Sequence, residues 1–221
     1  MTDLLSSPLF VSVTLTLGMI GLLIATVVEH FQIVIKYYGG IRGKVASGYS
    51  QAMKIMVVNR LGAVLFLLFM GLTIDSGISP QAITYAFAIS FLILTTFSFF
   101  FAIWFKRSET DRIITKRSAS AIRFAWISGT AGAFNLLGFA VPLILASVFP
   151  DFRLTLANLS FIFNSVFTLL AVFFIESKMA ELIDENSDEL GLFAWLVIAA
   201  RAPAYAIICA GLFLSLFWIP A

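Results

Sequence analysis

The sequence predicts an all-α integral membrane protein, a bundle of about six transmembrane helices in a single polytopic domain over residues 1–221, with both termini outside. The composition, six long apolar stretches and the placement of Lys and Arg support this fold class. Hydrophobic residues make up 61% of the 221 residues and charged residues 12%, whereas about a quarter of a soluble domain is charged. So few charges cannot cover a surface that faces water, which argues against a cytosolic enzyme, a nucleic-acid-binding module or a disordered chain.

Each of the six apolar stretches is long enough to cross a bilayer, which takes about 20 residues. They cover residues 9–28 (continuing as helix to 38), 51–74, 82–105, 122–149, 154–175 and 190–218. The first three residues contain no basic side chain, and the run that follows is too long for a signal peptide. We therefore expect the first helix to remain in the mature protein, and the segments 106–121 and 176–189 to be the longest pieces outside the membrane.

The loops between odd and even spans contain most of the Lys and Arg residues. Arg42 and Lys44 follow span one, and Lys106, Arg107, Arg112, Lys116 and Arg117 follow span three. The opposite loops contain only Arg153. Because Lys and Arg concentrate in short cytoplasmic loops, the odd-to-even loops are predicted to be cytoplasmic and both termini to lie outside.

Several kinds of chemistry lack the residues that they need. His30 is the one histidine and Cys209 the one cysteine, which excludes an intrachain disulfide and any metal site or triad built from two such residues. The sequence has no Gly-rich phosphate loop followed by Lys and Ser or Thr. We expect no catalytic activity, no cofactor and no metal.

Ionisable residues inside the spans are the strongest functional signal, because they are costly in lipid. Arg60 and Arg201 fall about 14 and 16 Å from the cytoplasmic ends of spans two and six, and Glu29 falls about 14 Å deep in span one. We expect Glu29 to pair with Arg60, either as a structural ion pair or as a functional one, and Arg201 to have no carboxylate at its depth. His30 is expected to be a hydrogen-bonded interior residue, with a proton relay beside Glu29 as the alternative.

Uncharged polar residues follow one face of span four, and others occur in span five. The residues on that face of span four are Ser128, Gly132, Asn135 and Pro142. Small and amide residues commonly hold transmembrane helices together, so packing is the expected role of most of them. Asn135 and Asn164 are candidates to line a cavity. Pro142 and Pro203 are candidate kinks, and Pro203 could free backbone carbonyls beside Arg201.

Short motifs along the chain resemble a known family. They are GIRGKVA at 40–46 followed by Asn59-Arg60, PDFRLTLANLS at 150–160, FNSVFT at 163–168 and ARAP at 200–203. Their order and spacing are similar to those of the Amj family, the alternate lipid II flippases of bacteria.

The resemblance implies movement of lipid II, an undecaprenyl-pyrophosphate-linked precursor of peptidoglycan, across the bacterial cytoplasmic membrane. Arg60 and Arg201 would then bind the pyrophosphate in a cationic cavity at mid-membrane. Asn135, Asn164 and Thr168 would hydrogen-bond to the sugar–peptide head. The partners would be membrane lipid and this undecaprenyl-linked anionic substrate, and no nucleic acid is expected. A homodimer is one of the possible oligomeric states.

Two residue groups have further roles in this interpretation. Arg42 and Lys44 are expected at the cytoplasmic mouth, either as ordinary positive-inside anchors or as a basic rim that gathers the lipid phosphate. Glu29 and His30 are the candidates for proton coupling.

Two other functions compete with lipid II transport. A secondary transporter of another polyprenyl-linked or small anionic solute would share the buried charges, and a small-solute transporter would have a cavity closed to lipid. A non-transporting membrane assembly subunit would have its arginines fully paired within the bundle.

Overall fold

The computed structural model describes residues 7–110 and 119–219, with the backbone alone at residues 119–121 and 157. Every regular element in these residues is helical, and six helical segments are long and apolar enough to cross a membrane. The predicted all-α membrane bundle is confirmed, and the chain is a multi-pass membrane protein. Arg112, Lys116 and Arg117, which entered the prediction of orientation, lie outside the described residues, as do the first three residues.

Four of the six spans are single helices, and the last two are interrupted. The helices are α1 (Pro8–Ile41), α2 (Val45–Asp75), α3 (Pro80–Ser108), α4 (Ala119–Val148), α5 (Arg153–Leu170), α6 (Ser177–Asp184), α7 (Leu190–Ala199) and α8 (Arg201–Ser215). A 3₁₀ turn, Pro150–Phe152, precedes α5, and a π-helix, Ala171–Glu176, joins α5 to α6. Span five therefore consists of α5, the π-helix and α6, and span six of α7 and α8.

The starts of α1 and α3 follow directly from the sequence. Ser7 and Ser79 each accept a hydrogen bond from the backbone N–H three residues further on. Pro8 and Pro80 follow them in the first helical position, where the missing N–H of proline costs nothing and its fixed φ suits the helix.

Glycines bring α1 and α2 into close contact. A Cβ atom on Gly62 would lie 2.9 Å from the backbone oxygen of Gly21, and one on Gly48 would lie 2.7 Å from the Cα of Gly39. Small residues of this kind allow transmembrane helices to approach backbone to backbone. The first two spans therefore form a tightly packed antiparallel hairpin.

Two apolar clusters fill the interior, one on each side of the level of Glu29. The first surrounds Leu22, Phe66 and Phe87, and the second surrounds Tyr37 and Phe105. All five of these side chains are fully buried. Glu29 thus lies between two apolar layers of the bundle.

Spans five and six differ from the sequence prediction. The segment 176–189, predicted to lie outside the membrane, is helical to Asp184 where a loop was expected, and α6 buries Met179 and Leu182 against the bundle. Its position relative to the membrane stays a prediction. Span six is divided at Ala200. Pro203 has no N–H to donate to the carbonyl four residues earlier, which accounts for a break at this position. Pro142, in contrast, lies inside α4, which continues through it.

Candidate functional site

A charged cluster in the middle of the bundle brings together polar side chains from four spans. The Arg201 Nη1 atom at the start of α8 donates to Glu29 Oε2 on α1 at 3.0 Å, and Asn135 Nδ2 on α4 donates to Glu29 Oε1 at 2.8 Å. Asn59 Nδ2 on α2 donates to the Ala25 carbonyl at 2.6 Å and lies 3.5 Å from Glu29 Oε1. The Arg201 side chain is 5% exposed and that of Glu29 12%. The cluster is a buried ion pair with amide hydrogen bonds to the carboxylate.

The local backbone explains how Arg201 reaches this position. Arg201 follows the break at Ala200 directly, and α4 lies against that break through two glycines. A Cβ atom on Gly129 would lie 3.0 Å from the Ala200 carbonyl oxygen, and one on Gly132 would lie 3.4 Å from Arg201 Cγ. One turn earlier on α4, Ser128 donates to the Val197 carbonyl at 2.7 Å. The polar face predicted for span four therefore packs against span six.

The expected Glu29–Arg60 pair is wrong. Arg60 is exposed on the outer side of α2, and Asn59, one residue before it, is the α2 side chain that faces Glu29. Consecutive residues of an α-helix point about 100° apart, so both cannot face the same carboxylate. Arg201, which was expected to lack a carboxylate, holds Glu29 instead. The two arginines do not share a site.

His30 is fully buried next to this cluster but does not belong to it. Its Nδ1 lies 3.1 Å from the Thr26 carbonyl oxygen, and its Nε2 lies 2.9 Å from Ser98 Oγ. A carbonyl can only accept, so we assign the proton to Nδ1 and let the Ser98 hydroxyl donate to Nε2. Phe97 and Phe101 contact the ring edge-on at 5.5 and 5.8 Å between centroids. This is the arrangement expected of a hydrogen-bonded interior histidine.

The polar residues of span five lie away from Arg201. Asn164 is half-buried beside Gly138 of α4, where a Cβ atom would lie 3.3 Å from Asn164 Oδ1. Thr168 is exposed, and its hydroxyl donates to the Asn164 carbonyl at 2.8 Å. Both residues thus belong to the α4–α5 contact or the outer surface.

The predicted basic rim is on the surface at the loop between α1 and α2. Arg42 is exposed, and its guanidinium lies 5.3 Å from the centroid of the Tyr38 ring. Lys44 is exposed at the start of α2. Lys36 forms an ion pair with Glu176 at 2.5 Å between Nζ and Oε1, which ties α1 to the end of the π-helix. Glu176 is therefore engaged with Lys36 and not with Arg201.

Two residues of the central cluster, Asn59 and Tyr205, were not predicted from the sequence. Asn59 was noted only as part of a motif, although it is the α2 contributor. Tyr205 lies one turn after Arg201, and its buried hydroxyl and the Arg201 Nε atom have no well-aligned hydrogen bond within the described residues. The spacing of Arg201 and Tyr205 by four residues, on one helical face, is the signal that could have indicated the latter.

A groove of about 820 Å³, here called the side groove, runs between α4 and the two helices of span six. Its wall is almost wholly apolar, with Lys106 and Ile122 at one end and Leu137 and Ile208 at the other. Trp126, which lines it, is 75% exposed, so the groove opens sideways toward the surrounding lipid.

The middle of the side groove lies next to the charged cluster. Gly129 and Ala200 form this part of its wall, and Arg201 is the next residue along the chain. At the Lys106 end, Lys106 Nζ lies 5.1 Å from the centroid of the Trp195 ring. Among the described residues, Lys106 is thus the cation that lines the side groove, while Arg201 lies behind its wall, paired with Glu29.

The chemistry open to this site is recognition of anions and apolar chains. A guanidinium that binds a carboxylate can bind phosphate oxygens in the same way. Within the described residues, no group of three or more His, Cys, Asp or Glu side chains could hold a metal ion.

No family model, curated protein or solved structure matches the chain.

Proposed function

We propose that this protein moves an anionic polyprenyl-linked lipid across the bacterial cytoplasmic membrane. More specifically, we propose that this lipid is lipid II. The side groove supports the proposal, because it provides an apolar surface open to lipid beside a buried arginine. A polyprenyl tail would occupy the groove while the phosphate passes the level of Arg201. The lipid II assignment itself depends on the resemblance of the sequence motifs.

The dimensions of the side groove suit a lipid chain. Its volume of about 820 Å³ falls within the range of about 300–1,000 Å³ that is typical of ligand sites. From Ile122 to Leu137 it follows fifteen residues of α4, about 22 Å of helix in a hydrocarbon core about 30 Å thick. A site for a small solute would be closed to lipid, so the sideways opening favours a lipid substrate.

The charged residues suggest how an anionic headgroup would pass. By the loop charges, Lys106 lies at the cytoplasmic end, where it would attract a phosphate into the groove. Deeper in the bundle, Arg201 is neutralised by Glu29, which avoids an unpaired charge in the resting state. A phosphate would take the place of Glu29 on Arg201, and protonation of Glu29 would favour that exchange. In this proposal, Glu29 is the residue whose protonation couples proton movement to lipid transport.

Complementation tests this proposal. Bacteria depleted of their own lipid II flippases would receive the wild type, Arg201→Gln or Ala133→Trp, which fills the groove. Leu154→Trp is the matched control, because it adds the same side chain at an 81% exposed position of α5 outside the groove. We expect rescue by the wild type and the control, and loss of rescue by the other two at equal membrane abundance. Failure of a well-expressed wild type would refute lipid II as the substrate.

A non-transporting assembly subunit is the second candidate, favoured by the pairing of Arg201 with Glu29 inside the bundle. Exchanging the charges, in the double variant Glu29→Arg with Arg201→Glu, separates the two functions. The exchange preserves an ion pair and should restore the abundance lost in either single variant. A subunit would regain its activity together with its abundance. A transporter would remain inactive, because its cation is displaced to α1.

A further inference from the structure

The α2 helix has one packed face and one free face. Its glycines Gly48 and Gly62 lie against α1. Only 17% of its membrane segment is buried, compared with 39% for α1. The free face is therefore a broad surface that the described residues of this chain do not cover.

Arg60 lies at the centre of this free face. It is fifteen residues from each end of α2 (Val45–Asp75), about 22 Å in either direction. Counted over the apolar stretch 51–74, the nearer, cytoplasmic end lies nine residues from Arg60, about 14 Å, which is farther than an arginine side chain extends. On the same face, one and two turns away, Met53, Val57, Val64 and Leu67 are all exposed and apolar. No polar side chain lies on this face within two turns of Arg60; the exposed Lys54 is six residues nearer to the cytoplasmic end but about 120° round the helix.

Within the described residues, no hydrogen bond or ion pair engages Arg60, and the other described carboxylates lie toward the ends of the spans, except for Glu29. Glu29, at similar depth, is held by Arg201. Asp75 and Glu176 lie at the ends of their apolar stretches and pair with Arg153 and Lys36. An intramembrane arginine normally pairs or faces a cavity, and the described residues of this chain offer Arg60 no acidic partner at its depth.

We infer that the Arg60 face of α2 (Met53, Val57, Arg60, Val64 and Leu67) binds a transmembrane helix of a different membrane protein that carries a carboxylate near the bilayer centre. A second copy is a poor fit, because two-fold symmetry would bring Arg60 against Arg60, and Glu29 is already engaged. The phosphates of the surrounding bilayer lipid lie at the interface, out of reach of Arg60. This inference does not depend on the proposed transport function.

Association with a defined peptide tests the inference. The full-length protein, labelled with a fluorophore, is placed in phosphatidylcholine vesicles with a Leu-rich transmembrane peptide of about 21 residues that carries one central Glu. Control peptides carry a central Leu, or the Glu near one end. Energy transfer should show the central-Glu peptide binding about three- to thirty-fold more tightly than the central-Leu peptide.

Variants of the protein assign this preference to Arg60. Arg60→Leu should abolish it, and Arg60→Lys should retain part of it. Arg153→Leu, which removes an arginine from an exposed ion pair at the far end of the bundle, should leave it intact.

Three results would overturn the inference. The first is equal binding of the central-Glu and central-Leu peptides. The second is self-association of the wild type without peptide that Arg60→Leu abolishes, since the face would then belong to a second copy. The third is loss of lipid transport in Arg60→Leu with no peptide preference in the wild type, which would make Arg60 a substrate contact.

Discussion

Replacing Glu29 with leucine should destabilise the bundle by about 3–5 kcal/mol, the usual cost of removing one partner of a buried ion pair. The substitution leaves the Arg201 guanidinium, 5% exposed, without its counter-charge. It also removes the acceptor for the Asn135 side chain. Both partners of the pair are far less than one third exposed, so solvent screening reduces this cost very little.

A double-mutant cycle measures the interaction itself. Arg201→Met alone leaves Glu29 with amide donors only. The double variant Glu29→Leu with Arg201→Met replaces the pair with apolar side chains, which is often neutral in a buried site. We expect the double variant to recover at least about 2 kcal/mol relative to the sum of the single changes. The assay is reversible unfolding in mixed micelles on addition of SDS, followed by far-ultraviolet circular dichroism.

Additive effects would refute this reasoning. If the coupling were below about 0.5 kcal/mol, the Arg201–Glu29 contact would not stabilise the bundle. Glu29→Gln is the matched control for shape, because it keeps the size of the side chain and an oxygen for Asn135. A Glu29→Gln variant as stable as the wild type would show that hydrogen bonding, and not charge, holds the cluster together.

Three further stability changes follow from the packing. Gly48→Val should cost about 1–3 kcal/mol in the same unfolding assay, because the valine side chain would collide with the α1 backbone. Gly71→Ala is the control and should be neutral or slightly stabilising, because a Cβ atom at Gly71 would have no atom within 4 Å. Equal losses in the two variants would contradict the glycine contact. Ser98→Ala should cost about 1–3 kcal/mol by leaving the buried His30 Nε2 without a donor, and an unchanged unfolding midpoint would speak against the assigned hydrogen bond. Arg153→Ala breaks the ion pair with Asp75, in which the two side chains are 38% and 70% exposed. Because exposed ion pairs contribute little, the free energy of unfolding of this variant should stay within about 1 kcal/mol of the wild-type value.

The number and approximate limits of the spans were predictable because the bilayer imposes them. A crossing segment must be apolar for about 20 residues and must satisfy its own backbone hydrogen bonds, which restricts it to a helix here. Ser7-Pro8 and Ser79-Pro80 also indicate where two helices begin. The sequence did not indicate that α6 continues span five, because its charged residues resemble those of a loop and its burial depends on distant neighbours.

The depth of each charged residue was likewise accessible from the sequence, since depth is a count of residues times the rise of the helix. Glu29, Arg60 and Arg201 were placed at similar depth on that basis. Depth cannot decide which of them meet. Partner choice depends on the rotation of each helix about its axis, and one residue of difference turns a side chain by about 100°.

The sequence by itself therefore determined the fold class, the six spans and the level of the charged residues. The tertiary structure decided that Asn59 faces inward and Arg60 outward, that Arg201 holds Glu29, and that a groove opens beside them. The physical reason is that spans such as α2 are apolar on nearly every side, so hydrophobicity marks no inner face. Rotation is then set by close contacts such as Gly21 with Gly62, which exist only once the helices have packed.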